Sequence, residues 1–223
     1  MNKIGIGLTR SLVTMGLAVL AIVALLATGC GSSTPETLGS ILSRGAGVSS
    51  VKYDMITMKY GVVTTPLTEP ETTTVWVKNN KIRMDTLQTP EFWEWLDVEP
   101  VMILIDTDAK TEYTCYLYQN TAYKTVFDPA RIQSAGQATQ LLLSYNPTTI
   151  GADTVDGKAC VVVEYTYQGA TIKEWIWKDR GFPLRMEITE GPVRTVIEYK
   201  NISFIDIPDS TFQFPTGIIF MNT

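Results

Sequence analysis

KACVVVEYTYQGATIKEWIWKDRGFPLRMEITEGPVRTVIEYKNISF, residues 158 to 204, decides the fold. Four β-type runs in it are separated by short turn signals. KACVVVEYTY and TIKEWIWKD flank Gln168-Gly169, and PLRMEITE and VRTVIEYKNISF flank Gly191-Pro192. Short β-rich runs parted by Gly, Asn, Asp or Pro at a tight turn read as hairpins. In PLRMEITE the apolar set Leu184, Met186 and Ile188 alternates with Arg185, Glu187 and Thr189, so this strand has one dry face and one wet face. Asp179-Arg180-Gly181 turns the chain before it, and Pro183 fixes φ as the strand begins. In TIKEWIWKD, Trp175 and Trp177 share a face with Lys173 while Ile176 shares one with Glu174, and both orientations stay open.

The same grammar runs upstream. VKYDMITMKYGVV starts at Val51, then TTTVWVK and KIRMDT flank Asn79-Asn80, and VMILIDT and TEYTCYLYQ flank Asp108-Ala109-Lys110. VMILIDT lacks contrast between its faces, which implies cover on both sides. Consecutive hairpins pair antiparallel in sequence order. The expected fold is mainly β with α (α+β): a single curved antiparallel sheet forming an unclosed half-barrel, covered by an N-terminal helix and a helical lid. The N-terminal helix is expected after Ser33, where Ser33 and Glu36 fit a capping box, Pro35 the first turn, and Leu38, Ile41 and Leu42 a helical stripe ending at Gly45 and Gly47. The lid is expected at residues 128 to 147, from Asp128 and Pro129 to Leu141-Leu142-Leu143 and Pro147, with a second interruption at PEFWEWLDV, residues 90 to 98. A leucine or aromatic cluster on a helix is first of all a packing face, and the surface it would cover is the concave side of the sheet. Ile103, Val161, Val163, Met186 and Ile197, with Leu141 and Leu142 from the lid, are the candidate lining of an apolar ligand cavity.

The first thirty residues give an address. Lys3 and Arg10 precede an uncharged run from Ser11 to Gly29, followed by Cys30. That is a signal-peptide layout, and the run is also long enough for a retained spanning helix. Leu26-Ala27-Thr28-Gly29-Cys30 resembles the lipobox of bacterial lipoproteins, in which the cysteine is acylated (palmitate among the acyl groups) and becomes the new N-terminus. Two acyl chains are what stable anchoring takes. The organisation expected is a signal peptide at 1–29, the lipidated cysteine and tether at 30–33, and one domain at 34–223. The chain is then held on the extracytoplasmic side of a cell membrane or outer membrane, and the short tether keeps the domain near the lipid surface.

Composition excludes several classes. With residues 1 to 29 removed, the 18 basic residues lose Lys3 and Arg10, leaving 16 against 23 acidic ones and a formal charge of −7. There is no basic stripe, which argues against nucleic acid. Histidine is absent, so the commonest general base and metal ligand are missing together. No metal, cofactor or catalytic motif is legible, and the carboxylate pairs Asp106/Asp108 and Glu91/Glu94 read as solvated acids. An enzyme is not expected. Cys115 and Cys160 lie in expected strands and are open to two readings, an extracytoplasmic disulfide or two buried free thiols.

The stretch DGKACVVVEYTYQGATIKEWIWKDRGFPLRMEITE, the strand VKYDMITM and the closing IPDSTFQFPTGI together resemble the LolA/LolB-like lipoprotein-carrier superfamily, which includes lipid-binding lipoproteins of the LppX and LprG type. The resemblance covers about residues 34 to 217. It implies an antiparallel half-barrel closed off by helices, with acyl chains held in the cavity between, and a role in binding or carrying lipid or lipoprotein. The carrier's functional arginine has no matching motif here. Two other classes stay open: a structural or sensory surface lipoprotein with a filled core that binds a protein partner, marked by an exposed patch such as Phe92, Trp93 and Trp95, and, last, a carboxylate-dependent hydrolase.

Overall fold

The computed structural model describes residues 36–61, 66–88, 99–127 and 141–221. Cys30, the segment 90–98 with Phe92, Trp93 and Trp95, and residues 128–140 of the expected lid lie outside the described residues. The described chain begins with α1 (Leu38–Ser43). Its N-cap is Thr37, whose side chain accepts from Ser40 N at 3.2 Å. The helix therefore starts about one turn later than a Ser33 capping box would place it, and Thr37 satisfies an amide that would otherwise lack a partner.

Twelve strands follow: β1 (Ser50–Tyr60), β2 (Glu71–Lys78), β3 (Lys81–Gln88), β4 (Glu99–Asp106), β5 (Thr111–Tyr116), β6 (Thr121–Val126), β7 (Thr148–Val155), β8 (Lys158–Tyr167), β9 (Ala170–Trp177), β10 (Phe182–Glu190), β11 (Val193–Ser203) and β12 (Ile219–Met221). They form one sheet in the order β12-β6-β5-β4-β3-β2-β1-β11-β10-β9-β8-β7. All four hairpins expected from the turn signals are present, as β2–β3, β4–β5, β8–β9 and β10–β11. The sheet is thus two antiparallel meanders, β1 to β6 and β7 to β11, joined where β1 pairs with β11. It is curved and unclosed.

Two features depart from the sequence reading, and a third decides a point that it left open. The sheet is mixed, because β12 runs parallel to β6, with Ile219 beside Thr121 and Met221 beside Tyr123. The chain reaches that position as an arm leaving β11. Lys78 ion-pairs with Asp206 and Asp209 at 3.1 and 3.0 Å, and Arg83 Nη1 donates to Thr211 O at 2.9 Å. Second, Leu184 does not begin the inward set. A register shift between Pro183 and Arg185 turns it to the convex face, where it packs with Cys160, Val162 and Trp175, while Met186 and Ile188 face in. A bulge adds one residue to a strand and so exchanges the faces on either side of it. Third, the disulfide left open by the sequence is not formed. Cys115 on β5 and Cys160 on β8 are buried free thiols with seven strands between them in sheet order. Burial raises the Cys115 thiol to about 11 and raises that of Cys160 as well.

The two faces are both apolar at their centres, for different reasons. On the concave side, Val101, Ile103 and Ile105 of β4 join Val51, Tyr53 and Met55 of β1, Met186 and Ile188 of β10 and Ile197 and Tyr199 of β11. On the convex side, Met102 and Leu104 of the same β4 pack with Cys115, Ala122 and Ile218 of the C-terminal arm. The uniform apolarity of VMILIDT thus reflects cover on both sides.

Candidate functional site

The concave face is the candidate site, and the register shows how it is assembled. Ile103 lies opposite Met84 of β3, Met84 opposite Val75 of β2, and Val75 opposite Tyr53 of β1. Beyond the β1–β11 seam, Ile197 lies opposite Met186, Met186 opposite Glu174 of β9, and Glu174 opposite Val163 of β8. An apolar row therefore runs from β4 to β1, and a second, offset by four residues at the seam where Thr57 lies opposite Ile197, runs from β11 to β8 and is interrupted by the Glu174 carboxyl group.

The candidate lining falls into two patches. Ile103, Met186 and Ile197 belong to the large cluster of the β1 to β4 and β9 to β11 strands. Val161, Val163 and Leu142 belong to a second cluster, in which they meet Ile41 and Leu42 of α1 and Ile176 of β9. Leu141 is half-buried in the helical segment 141–144 and belongs to neither cluster. Leu142 thus brings the C-terminal end of the β6-to-β7 connection onto the same strands as α1. The connection itself runs from β6 to β7, which lie toward opposite ends of the sheet order.

Gly181 fixes how closely α1 approaches. It has φ +58°, and a Cβ there would lie 2.4 Å from Ile41 O and 3.1 Å from Gly45 N. Only a residue without a Cβ fits a left-handed backbone pressed against another backbone. The turn between β9 and β10 is the seat of the N-terminal helix.

Four functional-site residues escape the sequence reading: Tyr53, Tyr165, Glu174 and Tyr199. Glu174 is buried on the concave face between Ile172 and Ile176, and Tyr165 Oη donates to its Oε2 at 3.2 Å. Burial raises the Glu174 carboxyl from 4.5 to about 7, against the hydrogen bond from Tyr165, which lowers it. Tyr53 and Tyr199 are fully buried, with ring centroids 5.7 Å apart, and Phe182 stands edge-on to both at 5.6 and 6.0 Å. Burial, then the proximity of Tyr53 and Glu174, holds the Tyr199 hydroxyl well above its ordinary value. The Tyr53 hydroxyl is buried without a hydrogen-bond partner. Tyr145, just after the helical segment 141–144, stacks on Tyr165 at 5.6 Å and 5° and meets Tyr167 at 4.9 Å. The signal was the alternation Ile172, Glu174, Ile176; the register of β9 against Met186 settles which face it occupies.

Among the described residues, no group of three or more Cys, Asp or Glu side chains is placed to hold a metal ion. The pair Asp106 and Asp108 is engaged at a turn: Asn80 Nδ2 donates to both, and the Ala109 amide donates to Asp106 Oδ1 at 2.8 Å. No described helix is long and apolar enough to cross a membrane.

The geometry defines an unclosed half-barrel with a buried apolar concave face, the Glu174 carboxyl group at its centre, and α1 and Leu142 packed over the β8–β9 end. No family model matches the chain, and no curated protein matches it. Solved structures do align with it. They include LprF from Mycobacterium bovis, at 20% identity and TM-score 0.44 over 80% of this chain and 99% of that one. A LolA superfamily protein from Nitrosomonas europaea aligns at 13% identity and TM-score 0.40 over 80% and 98%. The lipoprotein LppX of Mycobacterium tuberculosis aligns at 14% identity and TM-score 0.40 over 70% and 87%. The chain is similar to these in fold, and its function is argued from its own residues.

Proposed function

We propose that the chain is a membrane-anchored extracytoplasmic lipoprotein that binds an acyl-chain or other lipid ligand against the concave face of its half-barrel, as a binding protein or carrier rather than an enzyme. The observation that carries this reading is a pair of apolar rows on an unclosed sheet, Ile103, Met84, Val75 and Tyr53 on one side of the β1–β11 seam and Ile197 and Met186 on the other, all within one apolar cluster. The side chains of these rows are buried, and the described cover at the β8–β9 end is one six-residue helix and the helical segment 141–144. An acyl chain is a chemically matched occupant, since burying each methylene is worth about 0.8 kcal/mol. The Leu26 to Cys30 sequence supports the anchor, and a short tether supports delivery of the trough to the lipid surface.

Native mass spectrometry of the full chain, extracted from membranes in mild detergent, tests this. A co-purifying lipid is expected, displaced by added acyl probe. A chain that carries no lipid and takes up no acyl probe overturns the reading and favours the surface lipoprotein with a protein partner. The fully buried Tyr53, Phe182 and Tyr199, which fill part of the trough, are the observation in favour of that second reading.

A further inference from the structure

Glu174 is an anomaly in the proposed site. A carboxyl group seated among Ile172, Ile176, Val163 and Met186 in an apolar trough is costly unless it has a partner or gives up its charge. Among the described residues, the groups facing it from the surrounding elements are uncharged: Tyr165 from β8, Met186 from β10, Tyr199 from β11, with Tyr53 of β1 beyond Tyr199 and Tyr145 stacked over Tyr165. Among the described residues, no Lys or Arg forms an ion pair with it. The nearest cation of α1, Arg44, is committed to Lys178 O and Glu36. A second, independent irregularity lies in the same aromatic cluster. The Tyr53 hydroxyl is fully buried with no partner, and a buried hydroxyl without one calls for an explanation.

We infer that the concave face recognises the uncharged oxygen-bearing end of its ligand, an ester or a hydroxyl, through the Glu174 carboxyl and the Tyr53 hydroxyl, and that it discriminates against a free carboxylate. This rests on the apolar-ligand reading above and narrows it. An ester carbonyl accepts from the Tyr53 hydroxyl and from a protonated Glu174; a ligand hydroxyl can also donate to an ionised one. A ligand carboxylate would bring a second acid beside Glu174, where no described Lys or Arg is paired to receive it, and two carboxyl groups sharing such a site cannot both ionise. Burial lifts the Glu174 carboxyl into the neutral range, which keeps it a donor for part of the population near neutral pH.

The test offers the full chain, released from non-ionic micelles in the mass spectrometer, equal concentrations of monoolein and oleate. The two share the same acyl chain and differ at the head. At about pH 8, monoolein occupancy is expected to exceed that of oleate about tenfold, since a site built to hydrogen-bond one head group rejects one that leaves its polar groups unpaired. Glu174→Gln removes the like charge and is expected to shrink that preference about fivefold. Tyr53→Phe, with circular dichroism unchanged, is expected to lower monoolein occupancy by about the same factor. Equal occupancy by the two ligands overturns the inference while leaving the apolar-ligand reading in place. So does a preference that survives both substitutions unchanged. Binding of neither ligand overturns both, and the wild-type comparison decides even if a variant fails to fold.

Discussion

The two halves of the sheet line the same trough with different chemistry. From β2 to β4 the central inward residues are Val75, Ile82, Met84, Val101, Ile103 and Ile105, all aliphatic or thioether, and the alternation continues at one end to the buried Thr73 and Glu99, which are hydrogen-bonded to Thr86 and Gln119. From β8 to β11 they include Tyr165, Glu174 and Tyr199, beside Phe182 at the start of β10. The first half is backed on its convex side by the C-terminal arm; the second supports α1 on its concave side through Val161, Val163 and Ile176. The centre of the first half would offer a ligand of the proposed kind only apolar contacts. The second half has Glu174 and Tyr165 at its centre and carries the described cover, so it is where selectivity is expected.

Four perturbations break or sharpen that contrast. Gly181→Ala attacks the seat of α1, because the new Cβ at φ +58° lies 2.4 Å from Ile41 O. Backbone must move, and a loss of upward of about 3 kcal/mol in chemical denaturation is expected.

Glu174→Gln acts in the opposite direction, and its size depends on pH. The carboxyl is raised from 4.5 to about 7 on folding, so the folded state holds its proton while the unfolded chain releases it. Wild-type stability therefore falls as pH climbs from about 4.5 to about 7 and stays lowered above that, by about 3 kcal/mol for this group. The variant is expected to be more stable than wild type by about that amount at pH 8, with the gap closing below about pH 4.5. Parallel denaturation curves across this range check it, and a gap that widens toward acid would contradict the burial of Glu174.

Leu142→Ala removes the aliphatic contact of the β6-to-β7 connection with α1 and the second half, with an expected cost of about 2 kcal/mol and faster hydrogen exchange in α1. Arg83→Ala loosens the arm on the first half by releasing Thr211 O and Asp85, a half-buried pairing worth about 1 kcal/mol. Hydrogen exchange should rise in residues 204–221 and leave α1 untouched. Exchange spreading to α1 would mean that the halves are more tightly coupled than the separate clusters imply.

The legible parts of this fold were local. Turn pairs such as Asn79-Asn80 and Gln168-Gly169 mark their hairpins in the sequence because a tight reversal needs residues tolerant of positive φ, and Asn79, Gln168 and Gly169 adopt it at 51°, 49° and 85°. Long-range pairings leave no such mark. Nothing near Ser50–Tyr60 announces that it joins β11, and the exposed TTIGADTV of β7 has no apolar alternation to reveal a strand. The three residues of β12 join β6 only because the arm carries them there. In the site, Ile103, Val161, Val163, Met186 and Ile197 were readable from alternation. Leu184 was not, because the bulge at Pro183 to Arg185 changes its face without changing the pattern. Glu174 was hidden between two apolar faces of one strand, where Ile172 and Ile176 compete with Trp175 and Trp177.

The central claim is that an apolar ligand lies against the concave face. Photocrosslinking the full chain with an acyl chain bearing a terminal diazirine, followed by peptide mapping, addresses it most directly. Crosslinks are expected on concave residues of β1 to β4 and β8 to β11, such as Met84, Ile103, Val163 and Met186, and absent from Met102, Leu104 and Cys115 on the convex side of the same strands. Crosslinks confined to the convex side or to the exposed Ile219, Phe220 and Met221 would contradict it.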